Sequence, residues 1–148
     1  MSKIAFIYPG QGAQVCGMGQ DFYEQTKEGK ETFDLATDIL GFSVPELCFT
    51  ENDRLDITEY TQAAMVTTSI AMTKVLEAQG VKPDVTAGLS LGEYCALYAA
   101  GVMSEKDAIA TVTSLTALSD AISALIAVLT IPFPICFVKI RTSPGLQP

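Results

Sequence analysis

The sequence from Val85 to Gly101 reads VTAGLSLGEYCALYAAG, and this stretch decides how the chain is interpreted. The short apolar run Val85-Thr86-Ala87 predicts a strand, and the apolar spacing after the serine predicts a helix that stops at Gly101. Between them stands Gly88-Leu89-Ser90-Leu91-Gly92, which has the pattern GxSxG. A strand, a glycine-flanked serine and a helix in this order are typical of a sharp turn that exposes a nucleophilic hydroxyl.

The helix that follows such a turn determines what the serine can do. Its N-terminal end directs free N–H groups and the positive end of the helix dipole at the hydroxyl, which stabilises negative charge on a tetrahedral intermediate. Ser90 is therefore the candidate nucleophile, and the N–H of Leu91 is a candidate donor. The alternative is a simple turn containing a glycine-flanked serine, because the pentapeptide alone occurs often by chance.

A second motif, Gly10-Gln11-Gly12-Ala13-Gln14, directly follows the apolar run from Ile4 to Tyr8. The run predicts a strand buried on both faces, which opens into a tight loop. Small residues let a backbone approach closely, and an amide side chain can donate a hydrogen bond, so Gln11 is the candidate in this loop. The alternative is a glycine turn whose glutamines face water.

Helices are predicted between and after these two motifs. Apolar spacing from Asp21 to Leu40 predicts a helical segment that Gly29 breaks in two. A charged, solvated connection from Thr50 to Ile57 precedes a second helix over about residues 58–79. Ser104 is predicted to cap a further helix. Together with the two strands, these segments indicate an α/β fold.

Composition limits the classes of partner and of chemistry. The 148 residues are 49% hydrophobic, enough for the core of one domain, and 9 basic against 17 acidic residues give a net charge of -8. This charge repels nucleic acid, although a local group of lysines or backbone N–H groups can still hold an anionic ligand. The four cysteines form no CxxC pair, so we expect reduced thiols in a cytoplasmic protein without a metal site or cofactor. The absence of histidine removes the commonest general base.

The last quarter of the chain differs from the rest in composition. We place a boundary near Val112, beyond which the charged residues are Asp120, Lys139 and Arg141. The apolar spacing predicts an amphipathic helix over residues 113–130. The segment from 121 to 138 carries no charge and is close to the shortest length that spans a membrane. Two prolines in its last third make membrane insertion the weaker interpretation.

Three separated motifs, taken in order, resemble those of the malonyl-CoA:acyl-carrier-protein transacylase family. They are Phe6-Ile7-Tyr8-Pro9-Gly10-Gln11-Gly12-Ala13-Gln14, Thr61-Gln62-Ala63-Ala64 and Gly88-Leu89-Ser90-Leu91-Gly92-Glu93-Tyr94, and Ala99-Ala100-Gly101-Val102-Met103-Ser104 continues the match. Three motifs in the right order are far more specific than one, and the resemblance covers residues 1 to about 112. The chain is accordingly divided into 1–112, the N-terminal part of an acyltransferase domain, and 113–148, a divergent apolar tail.

The resemblance implies a fold and a reaction. The fold would be a partial α/β-hydrolase-like core with a serine nucleophile elbow, truncated before the family's ferredoxin-like subdomain. In fatty acid biosynthesis, Ser90 would attack the thioester of malonyl-CoA, hold the malonyl group as an ester and pass it to the thiol of acyl carrier protein. Gln11 and Leu91 would form the oxyanion hole, and Gln62 would lie near the active site.

The sequence also departs from the family pattern. The family has a histidine where this chain has Leu89, and neither the downstream histidine base nor the arginine that holds the malonyl carboxylate has a counterpart. We therefore expect an incomplete form that is weakly active or inactive, with the switch after Val112 suggesting truncation or a frame disruption. The alternatives are a non-catalytic protein that binds acyl carrier protein or a partner subunit, and an acyltransferase domain of polyketide synthesis.

Overall fold

The computed structural model describes residues 3–112 and the backbone of residues 136–139. The first range holds two strands and six α-helices, and the second holds a third strand. In chain order they are β1 (Ala5–Tyr8), α1 (Gln20–Gln25), α2 (Lys27–Leu40), α3 (Val44–Phe49), α4 (Thr58–Ala78), β2 (Val85–Leu89), α5 (Gly92–Ala99), α6 (residues 105–112) and β3 (Cys136–Lys139), with a 3-10 helix at Asp53–Asp56 before α4.

The three strands form one sheet with β2 at its centre. β1 runs parallel to β2, with Tyr8 opposite Gly88 at the carboxyl ends of both strands. β3 pairs with the other edge of β2 in the antiparallel direction, with Cys136 opposite Leu89. The predicted α/β class is confirmed. β3 belongs to the segment that the sequence set apart as a tail, whereas the helix predicted over residues 113–130 lies outside the described residues.

Helix α4 lies at the centre of the packing. It contacts α2, α5 and the 3-10 helix, and the largest buried side chains include Phe33 of α2, Ile70 of α4 and Ile109 of α6, each at most 1% exposed. Burial of side chains of this size is worth about 1.5–3 kcal/mol each. The predicted end of α4 is confirmed, because Gly80 adopts a φ of 84° and the N–H of Val81 returns to the carbonyl of Leu76.

The break between α1 and α2 was predicted at the wrong residue. It lies at Thr26, whose hydroxyl donates to the carbonyl of Phe22 and accepts from the N–H of Gly29, so this one side chain ends α1 and caps α2. Gly29 lies inside α2. A Cβ at Gly29 would collide with the carbonyl of Phe22. Glycine is thus present at position 29 for close packing of the two helices, and not for a turn.

The region from Ser43 to Ile57 has more structure than its charge pattern predicted. Ser43 caps α3, a helix absent from our expectation, by accepting from the N–H of Glu46. Asn52 accepts from two N–H groups of the 3-10 helix, and Leu55 within that helix is 6% exposed. The side chains of the remaining connection are exposed as predicted, but one buried leucine and one cap give it a defined shape.

Strand β1 is not buried on both faces, contrary to the expectation from its uniform apolar sequence. Tyr8 is buried, and its hydroxyl is hydrogen-bonded to the hydroxyl of Thr73 at 2.8 Å. Ile7 on the opposite face is 76% exposed. An apolar sequence shows that both faces of a strand can be buried by other elements. Among the described residues, no helix or strand packs on the face of β1 that carries Ile7.

Candidate functional site: the Ser90 turn

Ser90 occupies the turn between β2 and α5, as the order of strand, serine and helix predicted. Its φ is 51°, and among the described residues other than glycine it alone has a positive φ. A side chain in this region costs about 1–2 kcal/mol, so the surrounding structure must hold the turn in place. Helix α5 begins immediately afterwards, with the N–H of Glu93 donating to the carbonyl of Ser90 at 3.0 Å. Ser90 is exposed at the surface.

The two glycines that flank Ser90 allow the close contacts that hold this turn. A Cβ at Gly88 would collide with the carbonyl of Gly92 and the nitrogen of Glu93. A Cβ at Gly92 would collide with the carbonyl of Tyr8 at the end of β1. The first turn of α5 therefore packs directly on the backbone of both parallel strands. The GxSxG spacing is explained by contact between backbones, which a loose surface turn would not require.

Leu91 stands at the N-terminal end of α5, next to Ser90. Its side chain is 6% exposed and belongs to the hydrophobic core, which fixes the start of the helix. The N–H groups in the first turn of an α-helix have no carbonyl partner within that helix, and the helix dipole is positive at this end. Leu91 therefore lies at the N-terminus of α5, directly after Ser90.

The loop after β1 lies against the Ser90 turn. The parallel pairing brings the carboxyl ends of β1 and β2 together, and a Cβ at Gly10 would lie 3.0 Å from the carbonyl oxygen of Leu89. Gln11 follows Gly10 and is exposed. Its side chain points towards the start of α4, where Nε2 donates to Oγ1 of Thr58 at 3.2 Å. The structure therefore brings the loop of Gln11 to the turn, but the side-chain amide is bound to Thr58.

Gln62 is half-buried on α4. It follows Thr58 by one helical turn, and residues four apart lie on the same face of a helix. Thr58 accepts the hydrogen bond from Gln11, so the Gln11 loop contacts α4 at Thr58. Gln62 lies on the same face of α4 as Thr58. The loop at residues 10–12 thus contacts both the start of α4 and the end of β2 before Ser90.

Two residues that connect this loop to the 3-10 helix were not predicted from the sequence. Gln14 accepts a hydrogen bond from the N–H of Gly12 at 2.8 Å and donates Nε2 to Oδ1 of Asp56 at 3.2 Å. Gln14 belongs to the second motif, yet no role was predicted for it. Asp56 lies 42 residues further along the chain and appeared as one charge among several in a connection. No local pattern links the two, and the fold alone brings them together.

Ionisable groups buried behind the turn are poor bases. Burial raises the pKa of Tyr8 to about 12, against a smaller opposing effect of its hydrogen bond with Thr73. Burial likewise raises the pKa of the Cys95 thiol on α5 to about 12. Both groups are protonated at neutral pH. Neither can remove a proton from Ser90 under those conditions.

A cavity of about 460 Å³ lies close to this region, between β1 and α4. Its lining includes Tyr8, Met65 and Met72, whereas Ser90, Gln11 and Gln62 are not among the lining residues. Across the described part of the chain, no group of three or more His, Cys, Asp or Glu side chains could hold a metal ion. The same residues contain no helix with the length and apolarity needed to cross a membrane.

Comparison with known proteins agrees with the motifs and the fold. A family model described as an acyl transferase domain matches residues 5–124. Malonyl CoA-acyl carrier protein transacylase from Bacillus subtilis is 49% identical over 113 residues, which are 76% of this chain and 36% of that protein. This chain therefore spans about a third of the length of such relatives.

Solved structures give the same assignment. Malonyl CoA-acyl carrier protein transacylase from Clostridium perfringens has a TM-score of 0.72 at 41% identity, over 76% of this chain and 36% of that one. A complex of a type II PKS acyl-carrier protein with its malonyl-transacylase has a TM-score of 0.76 at 37% identity, over 81% of this chain and 40% of that one. The resemblance found in the motifs is confirmed, and the chain belongs to the acyl transferase domain family.

Proposed function

We propose that this chain carries the nucleophile part of an acyltransferase that moves a malonyl group from malonyl-CoA to acyl carrier protein in fatty acid biosynthesis. The observation that carries the proposal is the left-handed backbone of Ser90, held by glycine contacts between β2 and α5. The names of the relatives support the substrates. We further propose an α/β-hydrolase-like core in a cytoplasmic protein, which the parallel β1–β2 pair and the turn at its carboxyl end support.

The proposed reaction has two transfers. Oγ of Ser90 attacks the thioester carbonyl of malonyl-CoA, a C–O bond forms, the C–S bond breaks, and coenzyme A leaves as its thiol with the proton of the serine. The thiol of acyl carrier protein then attacks the seryl ester, and Oγ of Ser90 regains a proton. Each transfer passes through a tetrahedral intermediate whose negative oxygen needs hydrogen-bond donors.

Gln11 and Leu91 are the proposed donors to that oxygen. Leu91 would donate its backbone N–H at the start of α5. Gln11 would also donate its backbone N–H, since its side-chain amide is directed at Thr58 at the start of α4. Gln62, one turn further along the same face of α4, is proposed to lie near the bound acyl group. These assignments rest on position, on the helix terminus and on the family motifs.

Activation of Ser90 is the weak part of the reaction in this chain. The sequence contains no histidine, and burial keeps Tyr8 and Cys95 protonated. A positioned general base typically contributes about 10²–10⁴-fold to the rate. We therefore propose slow formation of the malonyl ester. Leu89, which is 50% exposed beside Ser90, provides no group that could replace the base.

A second candidate function is non-catalytic binding of acyl carrier protein. It is favoured by the missing histidine and by the similarity to a malonyl-transacylase that was solved in complex with an acyl-carrier protein. The same complex contains a type II PKS carrier, so a role in polyketide synthesis is the corresponding alternative for the pathway. The two candidate functions differ in whether Ser90 becomes acylated.

Intact-protein mass spectrometry after incubation with malonyl-CoA separates the two candidates. We expect slow addition of one malonyl group to the wild-type chain and none to Ser90→Ala. Ser43→Ala, which removes an exposed serine at the cap of α3, should be acylated like the wild type. Acylation that persists in Ser90→Ala would refute the proposed nucleophile. No acylation together with measurable binding of acyl carrier protein would favour the second candidate.

A further inference from the structure

The loop that follows β1 has little packing to fix its conformation. Gly12 adopts a φ of 107°, and a Cβ placed on it would meet no atom within 4 Å. Gln11, Gly12 and Ala13 are exposed. Only the Gly10 end of the loop lies tightly against the backbone of Leu89. The remainder of this loop must therefore be held by hydrogen bonds.

Gln14 makes two hydrogen bonds that connect this loop to a fixed element. Its Oε1 accepts from the N–H of Gly12 at 2.8 Å, and its Nε2 donates to Oδ1 of Asp56 at 3.2 Å. Asp56 ends the 3-10 helix, which the cap at Asn52 and the buried side chain of Leu55 hold in place. A side-chain amide supplies an acceptor and a donor together, as this connection requires.

Gln11 is held by the adjoining part of the chain. Its Nε2 donates to Thr58, which follows Asp56 by two residues. The two glutamines thus attach one loop to one short stretch, residues 56–58, at two points. From this geometry we propose that Gln14 is a positioning residue, which fixes the Gly10–Gly12 loop and thereby directs the backbone of Gln11 towards the Ser90 turn. The role of Gln11 in this inference rests on the proposed function.

A reversal of hydrogen-bond polarity tests the proposal. Gln14→Glu keeps the acceptor for Gly12 but places a carboxylate against that of Asp56, so the connection to the 3-10 helix is lost. Asp56→Asn alone retains an oxygen that accepts from Gln14. The double variant Gln14→Glu/Asp56→Asn restores the connection, because the new amide can donate to the new carboxylate. Gln14→Ala removes both bonds without introducing a charge.

Two measurements are made on these four variants and on the wild type. Hydrogen exchange of the Gly12 amide, followed by NMR, reports on the loop, and the rate of Ser90 malonylation reports on the site. We expect Gly12 to exchange roughly three- to tenfold faster in Gln14→Glu, which loses one hydrogen bond, and at least as fast in Gln14→Ala, which loses two. Malonylation should slow by a similar factor. Both quantities should return close to wild type in the double variant, and the melting temperature of all variants should stay close to that of the wild type.

Unchanged exchange of Gly12 in both single variants of Gln14 would overturn the proposal. A double variant no better than Gln14→Glu would do the same, as would faster exchange with unchanged malonylation. If the wild-type chain shows no malonylation at all, the proposed function fails, and the pattern of Gly12 exchange across the variants then decides the positioning proposal by itself.

Discussion

Replacement of Gly88 by alanine tests the explanation of the Ser90 turn most directly. The added methyl group would collide with the carbonyl of Gly92 and the nitrogen of Glu93, both of which are backbone atoms. A flexible side chain could move aside, but the first turn of α5 cannot move without leaving the sheet. Gly88→Ala should therefore displace α5 from β2 and destabilise the whole domain.

The magnitude follows from the kind of contact. Overpacking of a core typically costs about 1–3 kcal/mol. The cost for Gly88→Ala should be about 3 kcal/mol, because the added Cβ would meet backbone atoms of Gly92 and Glu93, which cannot rotate away as a side chain can. Domains are stable by about 5–15 kcal/mol, so this loss is a large share of the total. Gly41→Ala is the matched control: Gly41 has a φ of 75°, but an added Cβ would meet nothing within 4 Å. It should lose only about 1 kcal/mol, the usual cost of alanine in the left-handed region.

Urea unfolding followed by circular dichroism measures both variants under the same conditions. The midpoint should fall clearly further for Gly88→Ala than for Gly41→Ala, with similar slopes if both unfold in two states. Equal losses would refute the argument, because they would mean that the backbone contact at Gly88 is not closely packed. In the absence of urea, Gly88→Ala should also lose acylation of Ser90, whereas Gly41→Ala should retain it.

Three further predictions concern other parts of the molecule. Ser90→Gly should unfold at a higher urea concentration than Ser90→Ala, by about 1 kcal/mol in free energy, because glycine relieves the left-handed strain. Ile7→Lys should reduce self-association, because Ile7 is 76% exposed on a strand. Light scattering measured against protein concentration tests this. Equal scattering from the variant and the wild type would show that this face does not associate. Stability should fall as pH rises from about 9 to about 12, measured by urea midpoints in that range. Burial raises the pKa of Cys48 and Cys95 from 9.0 to about 12 and that of Tyr8 from 10.0 to about 12. As the pH rises, these groups lose their protons in the unfolded chain before they do so in the folded one, and this favours unfolding. A urea midpoint that is constant with pH would contradict these shifts.

Features of the fold that depend on neighbouring residues were predictable from the sequence. The end of α4 at Gly80 and the position of Ser90 between a strand and a helix both follow from local signals. The break between α1 and α2 was misplaced because glycine is the usual local signal for a break, whereas Thr26 ends one helix and caps the next through its hydroxyl. Both hydrogen bonds of Thr26 are local, spanning four and three residues, so the threonine was itself a signal for a helix cap that the emphasis on Gly29 missed.

Features that depend on distant residues were not predictable. The connection of Gln14 to Asp56 joins positions 42 residues apart, and no periodicity relates them. The pairing of β3 with β2 is of the same kind, since the strand at Cys136–Lys139 lies far along the chain in a segment whose apolar pattern predicted neither its partner nor its direction. The candidate site could be predicted only as separate motifs, because the hydrogen bonds that join the Gly10–Gly12 loop to residues 56–58 are not contained in any of them.

Presentation of the proposed nucleophile, Ser90, and its activation are separable in this chain. Presentation depends on backbone contacts at Gly88 and Gly92 and on the start of α5, and all of these are present. Activation depends on a base, and the commonest one is absent because the sequence has no histidine. Since the two requirements involve different residues, a chain can retain a strained, exposed serine without the means to ionise it. In such a protein the rate of Ser90 acylation measures what geometry contributes alone, which is why slow, Ser90-dependent ester formation is the expected result.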